Sequence, residues 1–157
     1  MPSRRLSGLR RRRRARRQRR AARDWAEGLP ADVLLAILHR LDHIDVLTAA
    51  DRVCRSWRRA SREEPSLWRW ITMRGHEGIA RRINRGGLAC EAMRRSAGQC
   101  EAFCGEYAGN DGFLVYLSEQ SPCLRSLRLI SCNDVTDMGF TEAVKALPLL
   151  EELGLAM

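Results

Sequence analysis

The sequence predicts an α-helical module followed by an α/β solenoid, with a charged tail in front. Residues 29–70 carry apolar side chains at helical spacing, opened by Leu29-Pro30 and closed by Leu67-Trp68. Beyond them, apolar positions spaced three and then two residues apart return four times: Trp68-Ile71-Met73, Cys100-Phe103-Gly105, Leu124-Leu127-Leu129 and Leu150-Leu153-Leu155. Between the later returns lie two helical segments, 112–117 and 139–147, each opened by Gly-Phe and followed by a proline, Pro122 or Pro148. Short strands alternating with helices at a regular period are units that stack, because none buries its apolar face alone.

The first 23 residues hold twelve arginines and no acid. Removing those twelve charges from the formal net charge of +9 leaves −3 for residues 24–157, so basicity belongs to the tail. With little apolar surface to offset its ordering entropy, the tail is expected to be disordered. Arg10, Arg11, Arg12, Arg13, Arg14, Arg16, Arg17, Arg19 and Arg20 are candidates for a nuclear localisation signal. Unspecific contact with RNA or DNA, an organelle transit peptide and a solvated tail without a role are the competing readings. Scarce serine and no amphipathic stripe weigh against the transit peptide, and no aromatic precedes Trp25 to stack on bases. Trp25, in the lead-in 24–28, is expected to pack beside the first helix.

In the helical module, Pro30 suits a first turn, where a missing N–H costs nothing and φ is already set. Val33, Leu34, Ile37, Leu38 and Leu41 then form one face, broadened by Leu35. Asp45 is the expected N-cap of a second helix whose apolar positions are Val46, Leu47, Ala50, Val53, Cys54 and Trp57. Arg52, Arg55, Arg58 and Arg59 fall on its wet side. Pro65 opens a third short turn with Leu67 and Trp68 as its apolar pair. Some 40 residues bury too little surface to be comfortable alone. Two stripes this wide leave apolar area over, for a partner or for the rest of the chain.

The order Leu-Pro, DVLLAILHRL, DVLTAADRVCRSWRRA, PSLWR resembles an F-box, over the whole motif and without a gap. The resemblance implies a three-helix domain over residues 24–70 that docks onto a Skp-family adaptor, and through it a cullin, in an SCF-type ubiquitin ligase. The rest of the chain would then present a protein substrate for ubiquitin-dependent degradation. It nominates Leu29, Pro30, Val33, Leu34, Ile37, Leu38, Leu47, Val53 and Trp57 for adaptor binding, some of which must instead be core.

In residues 71–157 the two clear L-x-x-L-x-L returns lie 26 residues apart, the signature of leucine-rich repeats. The two earlier returns are degenerate. Gly105 stands where an aliphatic strand residue is expected and should weaken that strand. The stretch 74–95 is basic and glycine-containing, and helix is expected only over Ala89–Ala97. Cys132 and Asn133 stand where such repeats tie the turn after a strand to neighbouring backbone, and Thr136 or Asp137 can cap the next helix. This resembles the cysteine-containing class of repeats, and residues 24–157 together resemble plant-type F-box/leucine-rich-repeat proteins. The array is short and ends without a polar cap. The expected product is a short member, a truncated one, or one whose open edge meets something else.

Six cysteines invite a disulfide reading, but no apolar segment of a signal peptide follows the basic start, so a reduced compartment, nucleus or cytosol, is expected rather than secretion. The cysteines are expected to act as small buried hydrophobes. There is no C-x-x-C, and neither Cys100/Cys104 nor His39/His43 makes a convincing zinc pair, so no metal or cofactor is expected. The apolar run 33–38 is far short of a membrane span. There is no phosphate-binding glycine loop, H-E-x-x-H or nucleophile elbow, so a non-catalytic ligase subunit is expected. Nucleic-acid binding through the tail and a scaffold that does not serve degradation are the alternatives. The open strand face should carry Glu101, Ala102, Cys104, Arg125, Ser126, Arg128, Glu151, Glu152 and Gly154. Pairing of Arg125 and Arg128 with Glu151 and Glu152 within the sheet is preferred there over a defined substrate site, whose residues the sequence leaves unknown.

Overall fold

The computed structural model describes residues 14, 28–75, 78 and 82–156. Trp25 and the tail arginines other than the exposed Arg14 lie outside the described residues, as do the expectations placed on them.

Helix α1 spans Ala31–Leu38, with Pro30 at its N-cap (φ −54°, ψ 146°). The pyrrolidine ring holds that φ, and the Pro30 carbonyl accepts the Leu34 N–H at 3.0 Å. The expected second helix is divided. Helix α2 covers His43–Thr48, a 3₁₀ turn covers Ala50–Arg52, and helix α3 covers Arg55–Glu63. The cap of α2 is Asp42, whose side chain accepts from the Ile44 N–H at 2.8 Å; Asp45 lies in the first turn instead. The division has a local cause and a tertiary one. Thr48 Oγ1 donates back to the Ile44 carbonyl at 2.7 Å, and the turn that follows buries Asp51. A periodicity argument assumes one straight helix, so it misplaces Val53, which is 47% exposed. The 3₁₀ turn Pro65–Trp68 follows, with Leu67 and Trp68 buried as expected.

Four strands form one all-parallel sheet in sequence order: β1 Trp70–Met73, β2 Ala102–Glu106, β3 Ser126–Ile130 and β4 Glu152–Ala156. Between them lie helices α4 Arg85–Arg95, α5 Asp111–Gln120 and α6 Asp137–Lys145, with α5 packed between α4 and α6. The register aligns the four apolar returns of the sequence. Ile71, Phe103, Leu127 and Leu153 are opposite one another, as are Met73, Gly105, Leu129 and Leu155. All are buried in the first three strands; in β4, the edge strand, Leu153 and Leu155 are 47% and 50% exposed.

Helices α4, α5 and α6 start the same way. Asn84, Asn110 and Thr136 stand at the N-caps, and their side chains accept the N–H three residues on, from Gly87, Phe113 and Gly139. The Asn84 cap explains why α4 begins at Arg85 rather than Ala89: a satisfied first turn carries the helix through Gly86 and Gly87 despite their low propensity. Gly105 does not interrupt β2. A Cβ there would lie 2.7 Å from Phe103 Cε1, so the missing side chain makes room for the ring, which packs on Phe113 at 5.1 Å. Cys132 is buried, with Sγ 3.7 Å from the Gly105 carbonyl and 3.4 Å from that of Ile130, tying the turn after β3 to the neighbouring unit. Asn133 is exposed. The six cysteines are unpaired. Cys100 and Cys132 are buried, whereas Cys123 is exposed and departs from the buried-hydrophobe expectation.

The helical module is bolted to the first unit. Trp68 is fully buried, its indole N–H donating to the Ser61 carbonyl at 2.7 Å. Arg95 of α4 reaches across with its side chain 3% exposed. It meets Asp51 at 2.6 and 3.2 Å and Ser61 Oγ at 3.0 Å, and its guanidinium lies 5.3 Å from the Trp68 ring centroid. Glu91, one turn back, takes the Arg95 Nε–H at 2.8 Å. His43 closes the join. The Thr72 N–H donates to Nδ1 at 3.2 Å, which leaves Nε2 as the protonated nitrogen, facing the Leu67 carbonyl at 3.0 Å.

Candidate functional site

Two surfaces stand out, one on the helical module and one on the sheet. On the module, the nine nominated residues separate by burial. Leu34 and Leu38 are core, 4% and 1% exposed, and are corrected from the docking set: they hold α1 against its neighbours. Leu29, Ile37, Leu47 and Trp57 are half-buried, with Leu47 and Trp57 packed against the core cluster. Pro30, Val33 and Val53 are exposed, and Leu41 joins them. Leu29 and Leu34, five residues apart across the N-cap, both line an open groove of about 910 Å³ between α1 and α3. That pairing is the hydrophobic staple by which a helix sets the direction of the chain entering it. Ala31, Leu35 and Ala60 line the groove beside them, with Arg55, Arg58, Arg59 and Arg62 supplying its positive charge and Glu63 and Glu64 its negative charge.

The sheet's open face is organised by charge pairs at its rim and small residues within. Arg69 meets Glu101 at 2.7 Å and Arg125 meets Glu151 at 2.7 Å. The hydrogen bond from Arg69 holds the Glu101 carboxyl below the usual carboxylate range. Ser126 Oγ donates to Glu152 at 3.1 Å. Ladder pairing was therefore legible for Arg125 and Glu151. Arg128 departs from it: no carboxylate among the described residues comes within ion-pair distance. Pairing across the strands aligns Trp70, Ala102, Ser126 and Glu152 in one row and Thr72, Cys104, Arg128 and Gly154 in the next.

Sequence reasoning passed over three residues that organise these surfaces. Trp70, 63% exposed, ends the helical module in the sequence pattern, but its place beside the buried Ile71 in a strand puts it on the opposite face. Arg95 and Arg85 belong to the basic stretch 74–95, yet both are buried. The Glu91–Arg95 spacing of four was a visible sign of a held arginine. Arg85 donates to the Glu106 and Gly75 carbonyls and carried no such sign.

Among the described residues no reacting group emerges. His43 is committed to its two backbone contacts. Burial pushes the Cys100 thiol up to about 12, away from nucleophilic use. Among the described residues no three potential ligands gather around a metal position, and no helix is long and apolar enough to cross a membrane.

Comparison with known proteins accounts for this arrangement. Residues 26–74 match the F-box-like family. F-box protein SKIP19 of Arabidopsis thaliana is 43% identical over 134 residues, covering 85% of this chain and 43% of the relative. F-box/LRR-repeat protein 9 of the same plant is 39% identical over 135 residues, covering 83% of this chain and 54% of the relative. The chain carries an F-box-like domain and is similar over most of its length to plant F-box/leucine-rich-repeat proteins. It spans about half the length of these curated relatives, 43% of one and 54% of the other. A further relative, F-box/LRR-repeat protein 23, is 35% identical over 132 residues, which are 83% of this chain and 29% of that protein. The F-box match runs from before Leu29 to just past β1, so Trp70 and the His43–Thr72 contact fall at its boundary with the parallel sheet.

Proposed function

We propose that this chain is a substrate-recognition subunit of an SCF-type cullin–RING ubiquitin ligase. In this reading the F-box binds a Skp-family adaptor, the parallel sheet is a short leucine-rich-repeat solenoid that offers a protein substrate, and the chemistry belongs to other subunits. One observation carries the docking half. The F-box keeps Val33, Leu41 and Val53 at 41%, 36% and 47% exposure, with Pro30 exposed beside them in sequence, while its neighbours Leu34, Leu38, Ile44 and Val46 are fully packed. Exposed apolar side chains on so small a domain support a surface that a partner covers.

The test is co-purification of the full chain with a Skp-type adaptor, comparing parent with Val33→Asp plus Val53→Asp. Both residues are exposed, so the variant keeps its fold, and circular dichroism checks this. Each side chain buried at the interface contributes about 1–3 kcal/mol, so affinity should fall at least tenfold. A variant that binds as tightly as the parent refutes this docking face. The tail is read as a nuclear localisation signal. Deleting residues 1–23 should then shift a fluorescent fusion out of nuclei without touching adaptor binding. If the tail instead served nucleic acid, the deletion would remove a binding that falls steeply with salt.

A further inference from the structure

Two exposed side chains distinguish the open face of the sheet. Trp70 stands 63% exposed on β1, steadied by the Arg69 guanidinium 5.3 Å from its ring centroid. Arg128 stands exposed on β3, one row further along. Between them the aligned positions Ala102, Cys104 and Ser126 are small, and Gly154 lies beside Arg128, with Thr72 and Glu152 completing the two rows. Gly154 has a particular part. A Cβ at that position would lie 3.2 Å from Arg128 Cγ and 3.4 Å from Nε, so only glycine lets the arginine lie along the sheet without shifting. Beside it opens a cavity of about 330 Å³ lined by Ser126, Arg128, Glu152 and Gly154 together with backbone neighbours Leu127 and Leu153.

The charges on this face are not equally free. Arg69 and Arg125 are already paired with Glu101 and Glu151. The Glu106 carboxylate accepts the Gly75 N–H at 2.7 Å, and Glu152 accepts from Ser126 Oγ. Glu152 is the diagonal neighbour of Arg128 yet makes no ion pair with it. Arg128 is thus exposed and without a carboxylate partner among the described residues, and its guanidinium is a planar fork of donors of the kind that takes a carboxylate through two parallel hydrogen bonds. Tryptophan and arginine are also the residue types most concentrated where interfaces hold their energy.

We propose that this trough binds an extended peptide segment of an acidic partner protein, with an apolar or aromatic side chain against Trp70 and a carboxylate on Arg128. The proposal rests on the reading of the sheet as the substrate surface and names the chemistry that surface selects. Two strand spacings of about 4.8 Å and an offset of two residues along the strand separate the two anchors by roughly 12 Å. An extended chain advances about 3.3 Å per residue, so the two recognised side chains lie three to four residues apart. A peptide N–H or hydroxyl between them can donate to Glu152, whose carboxylate has acceptor capacity beyond its one bond to Ser126.

The experiment is selection of random twelve-residue peptides displayed on phage against the full chain, followed by fluorescence anisotropy on synthetic versions of the enriched peptides. The expected result is enrichment of an Asp or Glu three or four residues from an aromatic or large aliphatic residue. Replacing that acid by Lys should weaken binding at least tenfold. In Arg128→Glu the preference should reverse, with the Lys peptide bound more tightly than the acidic one, a gain that a misfolded variant cannot produce. Trp70→Ala should abolish measurable binding of either. Enriched peptides without the acid bias, or a bias unchanged in Arg128→Glu, overturn the proposal. Adaptor co-purification is run on the same variants. Loss of the peptide preference with adaptor binding intact sinks this inference alone. An adaptor-blind parent that keeps the preference sinks the ligase reading alone.

Discussion

Removing the guanidinium of Arg95 tests the join between the two halves of the molecule. In Arg95→Met the side-chain volume is nearly kept, while Asp51 loses its two contacts at 2.6 and 3.2 Å and Ser61 loses one at 3.0 Å. Asp51 is only 9% exposed as a residue, so water cannot fully replace what it loses. Breaking a buried pair from one side leaves an uncompensated charge and costs about 3–5 kcal/mol. A domain of this size is stable by roughly 5–15 kcal/mol, so the variant should be near the edge of folding at room temperature. The assay is urea unfolding of the full chain followed by tryptophan fluorescence, which reports on Trp68 beneath the Arg95 guanidinium. The companion variant Asp51→Ala plus Arg95→Met carries the sharper information. With both charges gone, nothing buried is left unpaired, and at least half of the lost stability should return. An Arg95→Met chain within about 1 kcal/mol of the parent would refute the assignment of Arg95 as a buried bolt, as would a double variant no better than the single one.

Further outcomes follow from other contacts. Gly105→Leu restores the side chain that the repeat pattern expects, yet it should destabilise by about 1–3 kcal/mol, because a Cβ there already meets the Phe103 ring at 2.7 Å. A raised denaturant midpoint would contradict the packing described, and Phe103→Leu in the same chain should relieve the strain. Glu91 supplies a pH dependence. Hydrogen bonding, first from Arg94 and then from Arg95, lowers its carboxyl from 4.5 to about 2. Its folded-state value lies below its unfolded one, so the contribution is complete above about pH 4.5 and is lost as pH falls toward 2. Solvent reaches the group, so screening leaves about 1 kcal/mol of it. Comparing the parent with Glu91→Gln over pH 2–6 should show that increment disappearing with acid, and parallel curves would contradict it.

The parts of this fold that were legible in the sequence are those governed by a repeating rule. Strand spacing brought Phe103, Leu127 and Leu153 into one row because a parallel sheet built in sequence order keeps a constant register. Cys132 was legible because its position relative to β3 leaves its thiol beside backbone of the preceding unit. The failures lie where a single tertiary contact outweighs the local pattern. The α2–α3 break turns Asp51 inward to Arg95, 44 residues away, and no window of local periodicity contains both. Val53 was assigned to an apolar stripe that the break destroys. The docking list suffered in the opposite direction. Leu34 and Val33 are adjacent and equally apolar, and only their burial, 4% against 41%, separates a core residue from a surface one.

Under the proposed function, a subunit that carries a substrate to a ligase needs more than two binding surfaces; it needs a fixed direction between them. That direction is set in this chain by a small number of polar contacts whose geometry is narrow. Apolar packing of Trp68 alone would hold α4 against the F-box, but apolar contact is non-directional and tolerates sliding. The Arg95–Asp51 fork, the Ser61 hydroxyl within it and the two-sided His43 bracket each require one orientation. Burying such groups is costly relative to an apolar core of the same shape, so their net contribution to stability is small even though breaking one side is severe. What they add is register between the exposed face of the F-box and the row that begins at Trp70, which immediately follows the turn holding Trp68. On this argument the apolar double variant at Asp51 and Arg95 separates stability from geometry: it should fold well while the two surfaces lose their common frame.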